Sequence, residues 1–109
     1  MKNTPDEKIL NLASSWIEAK HKVIIATVVR AWGSSPRPVG SRMIVNQDGN
    51  FSGSVSGGCI ETAVIRESIE LFKNKKSFKK LDFNIQNETA WEIGLPCGGE
   101  ISIFLEKIK

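Results

Sequence analysis

The chain carries one nearly continuous β-branched run, Val23-Ile24-Ile25-Ala26-Thr27-Val28-Val29. Branched side chains favour extended backbone, and a run without polar alternation is typical of a strand buried on both faces of its sheet. We therefore predict a central strand at these residues, and the rest of the fold is built outward from it.

Turn residues divide the sequence that follows this run. The stretch from Gly33 to Gly40 contains Pro36 and Pro38, which exclude regular structure and stiffen the loop. An Asp-Gly pair within residues 46–50 favours a reversal between two antiparallel strands. The predicted strands after the first are Ser41 to Val45, Phe51 to Val55, Phe78 to Ile85 and Glu100 to Glu106.

Two main helices are predicted from apolar periodicity. Thr4 and Glu7 form a capping box around Pro5, and one apolar stripe follows. The second helix spans about Cys59 to Asn74, and a short third one is expected at Asn87 to Ile93. The stripe of the first helix is Ile9, Leu12, Ala13, Trp16 and Ile17. The order α-β-β-β-α-β-(α)-β predicts an α/β (α+β) fold: a mixed sheet of about five strands with two main helices packed on it.

Composition excludes several classes of protein. The 109 residues are 40% apolar and 25% charged, which is ordinary for one small globular domain. No apolar run reaches the roughly 18 residues of a membrane span, and no secretory signal follows Met1, so we expect a cytoplasmic protein without a membrane contact. Five lysines between Lys73 and Lys80 account for the net charge of +3. They indicate a solvated helix end, and we predict no nucleic-acid partner.

The segment Ser56-Gly57-Gly58-Cys59 is the strongest local signal for a binding site. A strand, two glycines and a helix place backbone N–H groups and the positive helix end in front of an anion. The same field would lower the pKa of the Cys59 thiol and favour its thiolate. A tight turn followed by a buried, inert cysteine explains these four residues equally well.

A second segment, Cys97-Gly98-Gly99, repeats this composition, and the two together suggest one pocket at an edge of the sheet. The rigid loop between the first two strands adds hydroxyl and guanidinium groups suited to phosphate. Those groups belong to Ser34, Ser35, Arg37 and Arg42, with Arg30 just before them. An ordinary surface connection remains the alternative for this loop.

Groups for acid–base catalysis are few. His21 lies between two lysines at a helix end, where a surface position is expected. Carboxylates near the glycine segments are Glu61, Glu88 and Glu92, and they complete no nucleophile–base arrangement. Two cysteines without a Cys-x-x-Cys pair do not indicate a zinc site or a disulfide framework. We therefore assign no catalytic residue.

Three ordered motifs resemble those of the XdhC/CoxI family. They are residues 26–43, from Ala26 to Met43; residues 53–61, Gly53-Ser54-Val55-Ser56-Gly57-Gly58-Cys59-Ile60-Glu61; and residues 88–99, ending in Leu95-Pro96-Cys97-Gly98-Gly99. The likeness spans about Ile9 to Glu106. It implies the N-terminal domain of that family over residues 1–109, without the Rossmann-like C-terminal domain that commonly follows.

The resemblance implies an accessory factor for molybdenum hydroxylases such as xanthine dehydrogenase. Such a factor binds the molybdenum cofactor (molybdopterin) as cargo, assists its sulfuration and delivers it to the apo-enzyme. The cofactor's phosphate would suit a helix N-terminus and arginines, and thiolates would suit its metal or sulfur end. The predicted cofactor-binding residues are Arg30, Ser34, Ser35, Arg37, Arg42, Ser56, Gly57, Gly58, Cys59, Glu61, Cys97, Gly98 and Gly99, with Cys59 and Cys97 as metal ligands.

Two other functions remain open at this point. Cys59 could carry sulfur in a thiol-dependent transfer enzyme. The domain could instead be an interaction module that docks a cysteine desulfurase, the target hydroxylase or a separate Rossmann-domain protein. A homodimer is a further expected assembly.

Overall fold

The computed structural model describes residues 5–32, 39–55, 60–85 and 99–108, which form two helices and one five-stranded sheet. The β-branched run becomes the middle strand of this sheet, as expected. In chain order the elements are α1 (Pro5–Glu18), β1 (Val23–Trp32), β2 (Arg42–Asn46), β3 (Phe51–Gly53), α2 (Glu61–Phe72), β4 (Phe78–Ile85) and β5 (Gly99–Lys107).

The strands lie in the order β3-β2-β1-β5-β4, and each neighbouring pair is antiparallel. The first three strands form a meander. Helix α2 then carries the chain to the opposite edge, where β4 begins, and β5 returns between β4 and β1. The predicted α+β class is confirmed. The sheet itself is antiparallel throughout, where a mixed sheet was expected from sequence.

Two hydrophobic clusters fix the helices on opposite faces of the sheet. On one face, Ile9 and Ala13 of α1 pack with Val23 and Ile44, and the rest of the predicted α1 stripe lies around them. On the other face, α2 inserts Val64 and Leu71 into a larger cluster. The strand residues of that cluster include Ile24, Ala26, Val28, Met43, Val45, Ile101, Ile103 and Leu105. Burial on both faces explains why β1 reads as an unbroken apolar run.

A bulge in β1 separates its two halves. Pairing with β5 shifts register between Val28 and Arg30. Val28 donates its N–H to Ser41 O (2.9 Å) and accepts at its carbonyl from Gly40 N–H (2.8 Å). Beyond this point β1 pairs only with β5 among the described residues, which leaves Val29 45% exposed. The bulge thus divides β1 into a first half that pairs with both β2 and β5 and a second half that, among the described residues, pairs with β5 alone.

The turn between β2 and β3 and the exposed side of α2 lie where the sequence predicted them. The reversal is built on buried Asn46, whose Oδ1 accepts from the N–H groups of Asp48 and Asn50. Thr62, Arg66, Glu70 and Lys73 are the exposed side of α2, as predicted. The short helix expected at residues 87–93 lies outside the described residues. Neither described helix is long and apolar enough to span a bilayer.

Candidate functional site

One end of the sheet collects all three motifs. Register places the end of β1 beside the start of β5, and the start of β2 beside the end of β3. The end of β4 faces the start of β5 at the same level. Trp32, Ile85 and Gly99 lie at one level there, whereas β2 begins at Arg42, which is paired with Thr27, so β2 and β3 end roughly 16 Å short of Trp32 along β1. Segments 33–38 and 86–98 leave from this end, and the chain enters segment 56–59 there. We call it the motif end of the sheet.

Most of the predicted site residues belong to these three segments. Ser34, Ser35 and Arg37, the segment Ser56-Gly57-Gly58-Cys59, and Cys97 with Gly98 lie outside the described residues. The described members of the predicted set are Arg30, Arg42, Glu61 and, as backbone, Gly99. Topology therefore brings the flanking strands of all three motifs together, and the distance between the two sulfurs stays a prediction.

Glu61 joins the two ends of the Ser56–Cys59 segment. It opens α2 and is only 8% exposed. Its Oε2 accepts a hydrogen bond from the Ser54 hydroxyl (2.6 Å) and another from the Val55 N–H (3.0 Å). One carboxylate oxygen thus ties the exit of β3 to the first turn of the helix. A negative charge at this helix end also suits the helix dipole.

Gly53 shapes the same connection from the strand side. Its φ is +87°, a left-handed conformation, and an added Cβ would lie 2.5 Å from Arg42 O and 2.7 Å from Ile9 Cδ1. The next residue, Ser54, donates its N–H to Arg42 O (3.2 Å). Only glycine fits here, because any side chain would meet both the neighbouring backbone and α1. The turn directs the chain from β3 toward Glu61.

Arg42 opens β2 at the motif end. Its Cα is paired with that of Thr27, and its side chain is half-buried. The Nε atom is fully buried and has no hydrogen-bond partner within the described residues. A buried guanidinium donor without a partner is unfavourable by about 1–3 kcal/mol or more. Arg42 is therefore the described cation at this end whose donors are not fully used.

Arg30 points to a different part of the molecule. Its Nη2 donates to Glu100 Oε2 (3.0 Å), and both side chains are exposed. Asp82 and Ser102 lie in the same cavity of about 280 Å³, where Ser102 Oγ–H donates to Asp82 Oδ1 (2.6 Å). Lys80 and Phe83 complete the lining. The ion pair with Glu100 offsets the positive charge of Arg30, which the sequence analysis had expected to bind a phosphate group.

The predicted metal ligands, Cys59 and Cys97, lie outside the described residues. Within residues 5–32, 39–55, 60–85 and 99–108 no three His, Cys, Asp or Glu side chains are grouped as metal ligands. His21, whose Nδ1 lies 3.0 Å from Gln47 Nε2, sits in the turn after α1 and belongs to no such group. The proposed thiolate ligands, Cys59 and Cys97, remain predictions.

Sequence analysis did not predict the structural roles of two polar residues, Glu61 and Ser68. Glu61 was predicted as a cofactor-binding residue, and its described contacts also hold the ends of the segment 56–59. Ser68 is fully buried on the inner side of α2, with its hydroxyl donating to Val64 O (2.8 Å). The only sequence signal for the first was a carboxylate in the opening turn of a helix that follows a glycine loop.

Comparisons with known proteins agree with this architecture. The model of the XdhC and CoxI family matches residues 16–84. Over 102 residues the chain is 33% identical to the molybdenum cofactor insertion chaperone PaoD of Escherichia coli strain K12, a match covering 93% of this chain and 31% of PaoD. It is 29% identical over 93 residues to a probable xanthine dehydrogenase subunit of Bacillus subtilis strain 168, a match covering 84% of this chain and 28% of that protein.

A solved structure supports the fold in three dimensions. The crystal structure of a xanthine dehydrogenase from Bacillus halodurans superposes with a TM-score of 0.74 at 25% identity, covering 92% of this chain and 30% of that one. The chain belongs to the XdhC and CoxI family. It spans about a third or less of the length of each of these relatives.

Proposed function

We propose that this chain binds the molybdenum cofactor as cargo and helps insert it into a molybdenum hydroxylase. The observation that carries the proposal is that the strands flanking all three motifs end on the same side of the sheet, with β3 leading from there toward the amino end of α2. The insertion-chaperone name of PaoD, a relative by sequence, supports the same role. Xanthine dehydrogenase is the kind of hydroxylase that the other relatives suggest as the recipient.

The cofactor's phosphate would rest on the backbone of Ser56-Gly57-Gly58-Cys59. N–H groups at the start of a helix favour an anion, and Glu61 ties Ser54 and Val55, just before this segment, to the first turn of α2. Arg42, which opens β2 on the α1 face of the sheet, would supply a positive charge from the other side of this segment. The hydroxyls of Ser34 and Ser35, with Arg37, would close the site from the first loop.

The sulfur chemistry would belong to the two cysteines. Cys59 and Cys97 belong to segments whose flanking strands end on the same side of the sheet, and they would face the metal end of the cargo as soft ligands. In that position they would shield the cofactor while a cysteine desulfurase supplies sulfur. The hydroxylase apo-enzyme would then receive the sulfurated cofactor. The chain itself would turn over no substrate.

Anaerobic titration with isolated molybdenum cofactor, followed by tryptophan fluorescence, tests the proposal. We expect saturable binding by the parent chain and binding about 10- to 100-fold weaker for Arg42→Gln, because a charge-assisted hydrogen bond is lost. Cys59→Ala should also bind more weakly. Arg66→Gln, an exposed arginine on the outer side of α2, is the matched control and should bind like the parent.

Transfer to a recipient completes the test. Loaded parent chain mixed with apo-hydroxylase should restore hydroxylase activity faster than free cofactor does. No binding by the parent chain, or equal binding by parent, Arg42→Gln and Cys59→Ala, would refute the proposed site.

A further inference from the structure

Strand β4 is a long edge that no described strand covers on its outer side. It forms the end of the sheet order, opposite the three-residue β3, and runs from Phe78 to Ile85. Its side chains on the face away from α2 include Phe78, Lys80 and Asp82, all exposed. An edge of this length presents a row of backbone donors and acceptors that can pair with another strand.

The alternation of backbone hydrogen bonds along β4 shows which residues direct their N–H and C=O groups outward. Ser77 O accepts the N–H of Lys107 on β5 (2.9 Å), so the backbone groups of Ser77 point inward. Backbone groups alternate sides along a strand. Those of Phe78, Lys80 and Asp82 therefore point away from the sheet, toward a neighbour that would add to it.

The charges on this edge are self-complementary in one register. Antiparallel pairing of β4 with a second β4 across a two-fold axis, centred on Leu81, puts Lys80 opposite Asp82 of the other copy and Asp82 opposite its Lys80. We propose that two copies of this chain pair in this way through β4. The two sheets then continue as one, and each Lys80–Asp82 pair also exchanges two backbone hydrogen bonds.

Neighbouring registers are disfavoured by the same two charges. The two-fold axis keeps the same face of both sheets on one side. Each residue must therefore pair with a residue whose side chain points to that same face, and the axis must be centred on one residue of β4. Moving the centre to Lys80 sets the two lysines against each other, and moving it to Asp82 sets the two carboxylates against each other. Like charges directly opposite are destabilising, so charge selects the Leu81 register.

The side chains are already held for such a contact. Asp82 Oδ1 accepts the Ser102 hydroxyl (2.6 Å), and Oδ2 makes no hydrogen bond within the described residues. Lys80 Nζ lies 3.8 Å from Asp82 Oδ1 of its own strand. In the dimer the four charges would alternate in sign around the axis, and each lysine would lie between two carboxylates. Lysines on an edge usually oppose pairing. Here Lys80 has a partner.

Lys79 does not disturb this arrangement. It faces the α2 side of the sheet and makes an ion pair with Glu67 (2.8 Å). Its charge is therefore balanced inside its own protomer. The remaining lysines of the 73–80 cluster precede the strand and lie outside the paired segment.

Sedimentation velocity of the full chain and its charge variants tests the proposal. We expect the parent to associate into dimers as concentration rises, with Asp82→Lys and Lys80→Asp each at least about tenfold weaker in dimerisation, roughly the effect of 1.4 kcal/mol. The double variant Lys80→Asp/Asp82→Lys restores the complementary pairs and should dimerise again. Lys75→Asp, in the same lysine cluster but before β4, is the control and should behave as the parent.

Hydrogen exchange supplies a second measurement. The outward amides of Lys80 and Asp82 should be protected in the parent and the double variant and exchange rapidly in either single variant, while circular dichroism stays unchanged. A parent chain that is still monomeric at about 1 mM overturns the proposal, since this limit corresponds to only about 4 kcal/mol of binding. A dimer that survives both single changes, or a double variant that stays monomeric, also overturns it.

Discussion

Gly53 is the residue whose backbone most constrains the motif end. Gly53→Ala should destabilise the fold by about 2–5 kcal/mol, because the left-handed conformation costs about 1–2 and the overlap with Arg42 O and Ile9 about 1–3 kcal/mol. Urea unfolding measures this loss of free energy. The midpoint should fall while the slope with denaturant stays the same.

Gly40 provides the matched comparison. Its φ is also positive, at +95°, but an added Cβ would meet nothing within 4 Å. Gly40→Ala should therefore lose only the conformational part, about 1–2 kcal/mol. Equal losses at both positions would contradict the steric argument for Gly53.

Glu61 tests the tie between β3 and α2. Glu61→Gln keeps the shape but removes the charge from the acceptor of the Ser54 and Val55 hydrogen bonds, so we expect a loss of about 1–3 kcal/mol in unfolding free energy. Glu61→Ala should cost more, because the Val55 N–H loses its partner.

Glu70→Gln is the control for this carboxylate. Glu70 is exposed on the same helix, and its substitution should change stability by no more than about 0.5 kcal/mol. If Glu61→Gln proves as neutral as Glu70→Gln, the tie contributes nothing to the fold.

Among the elements, α2 depends mainly on the apolar residues of its inner side. Leu71 is 1% exposed, and Leu71→Ala should cost about 2–5 kcal/mol by leaving a cavity in the main cluster. Ser68→Ala, at an equally buried position, should cost less than about 1.5 kcal/mol, since Val64 O keeps its intrahelical bond. Thermal unfolding of the two variants gives the comparison. Similar losses would mean that α2 is held by its polar contacts.

Strand positions could be predicted from sequence, but the ends of most strands could not. β4 was placed at its observed bounds because turn residues flank it on the preceding side. β1 runs three residues beyond the predicted Val29, because β5 continues to pair with it after β2 has stopped. β3 ends at Gly53, two residues before the predicted end, since a left-handed residue cannot continue a strand.

At the scale of the molecule, local pattern gave the elements but not the order of the sheet. The insertion of β5 between β1 and β4 depends on contacts between residues more than 65 positions apart, such as Ala31 with Ile101, and no periodicity encodes them. The expected common pocket rested on composition alone. Antiparallel pairing now gives a physical reason for expecting it, because the strands that flank the three motifs all end on the same side of the sheet.

The antiparallel layout also separates the chain's two proposed surfaces. The motif end lies at the ends of the strands, whereas the β4 edge runs along their length. A two-fold axis on that edge would turn the two motif ends in opposite directions. Each protomer could then present its cargo to a recipient of its own.

The tie at Glu61 has a consequence for how this protein can vary. Ser56 to Cys59 is a bridge of four residues between two posts, Val55 and Ile60, whose separation one carboxylate sets. The length of such a bridge is constrained, because an inserted residue would have to bow outward or pull the posts apart. In this family, insertions are to be sought in the lysine-rich turn before β4, and the span above α2 should keep its length.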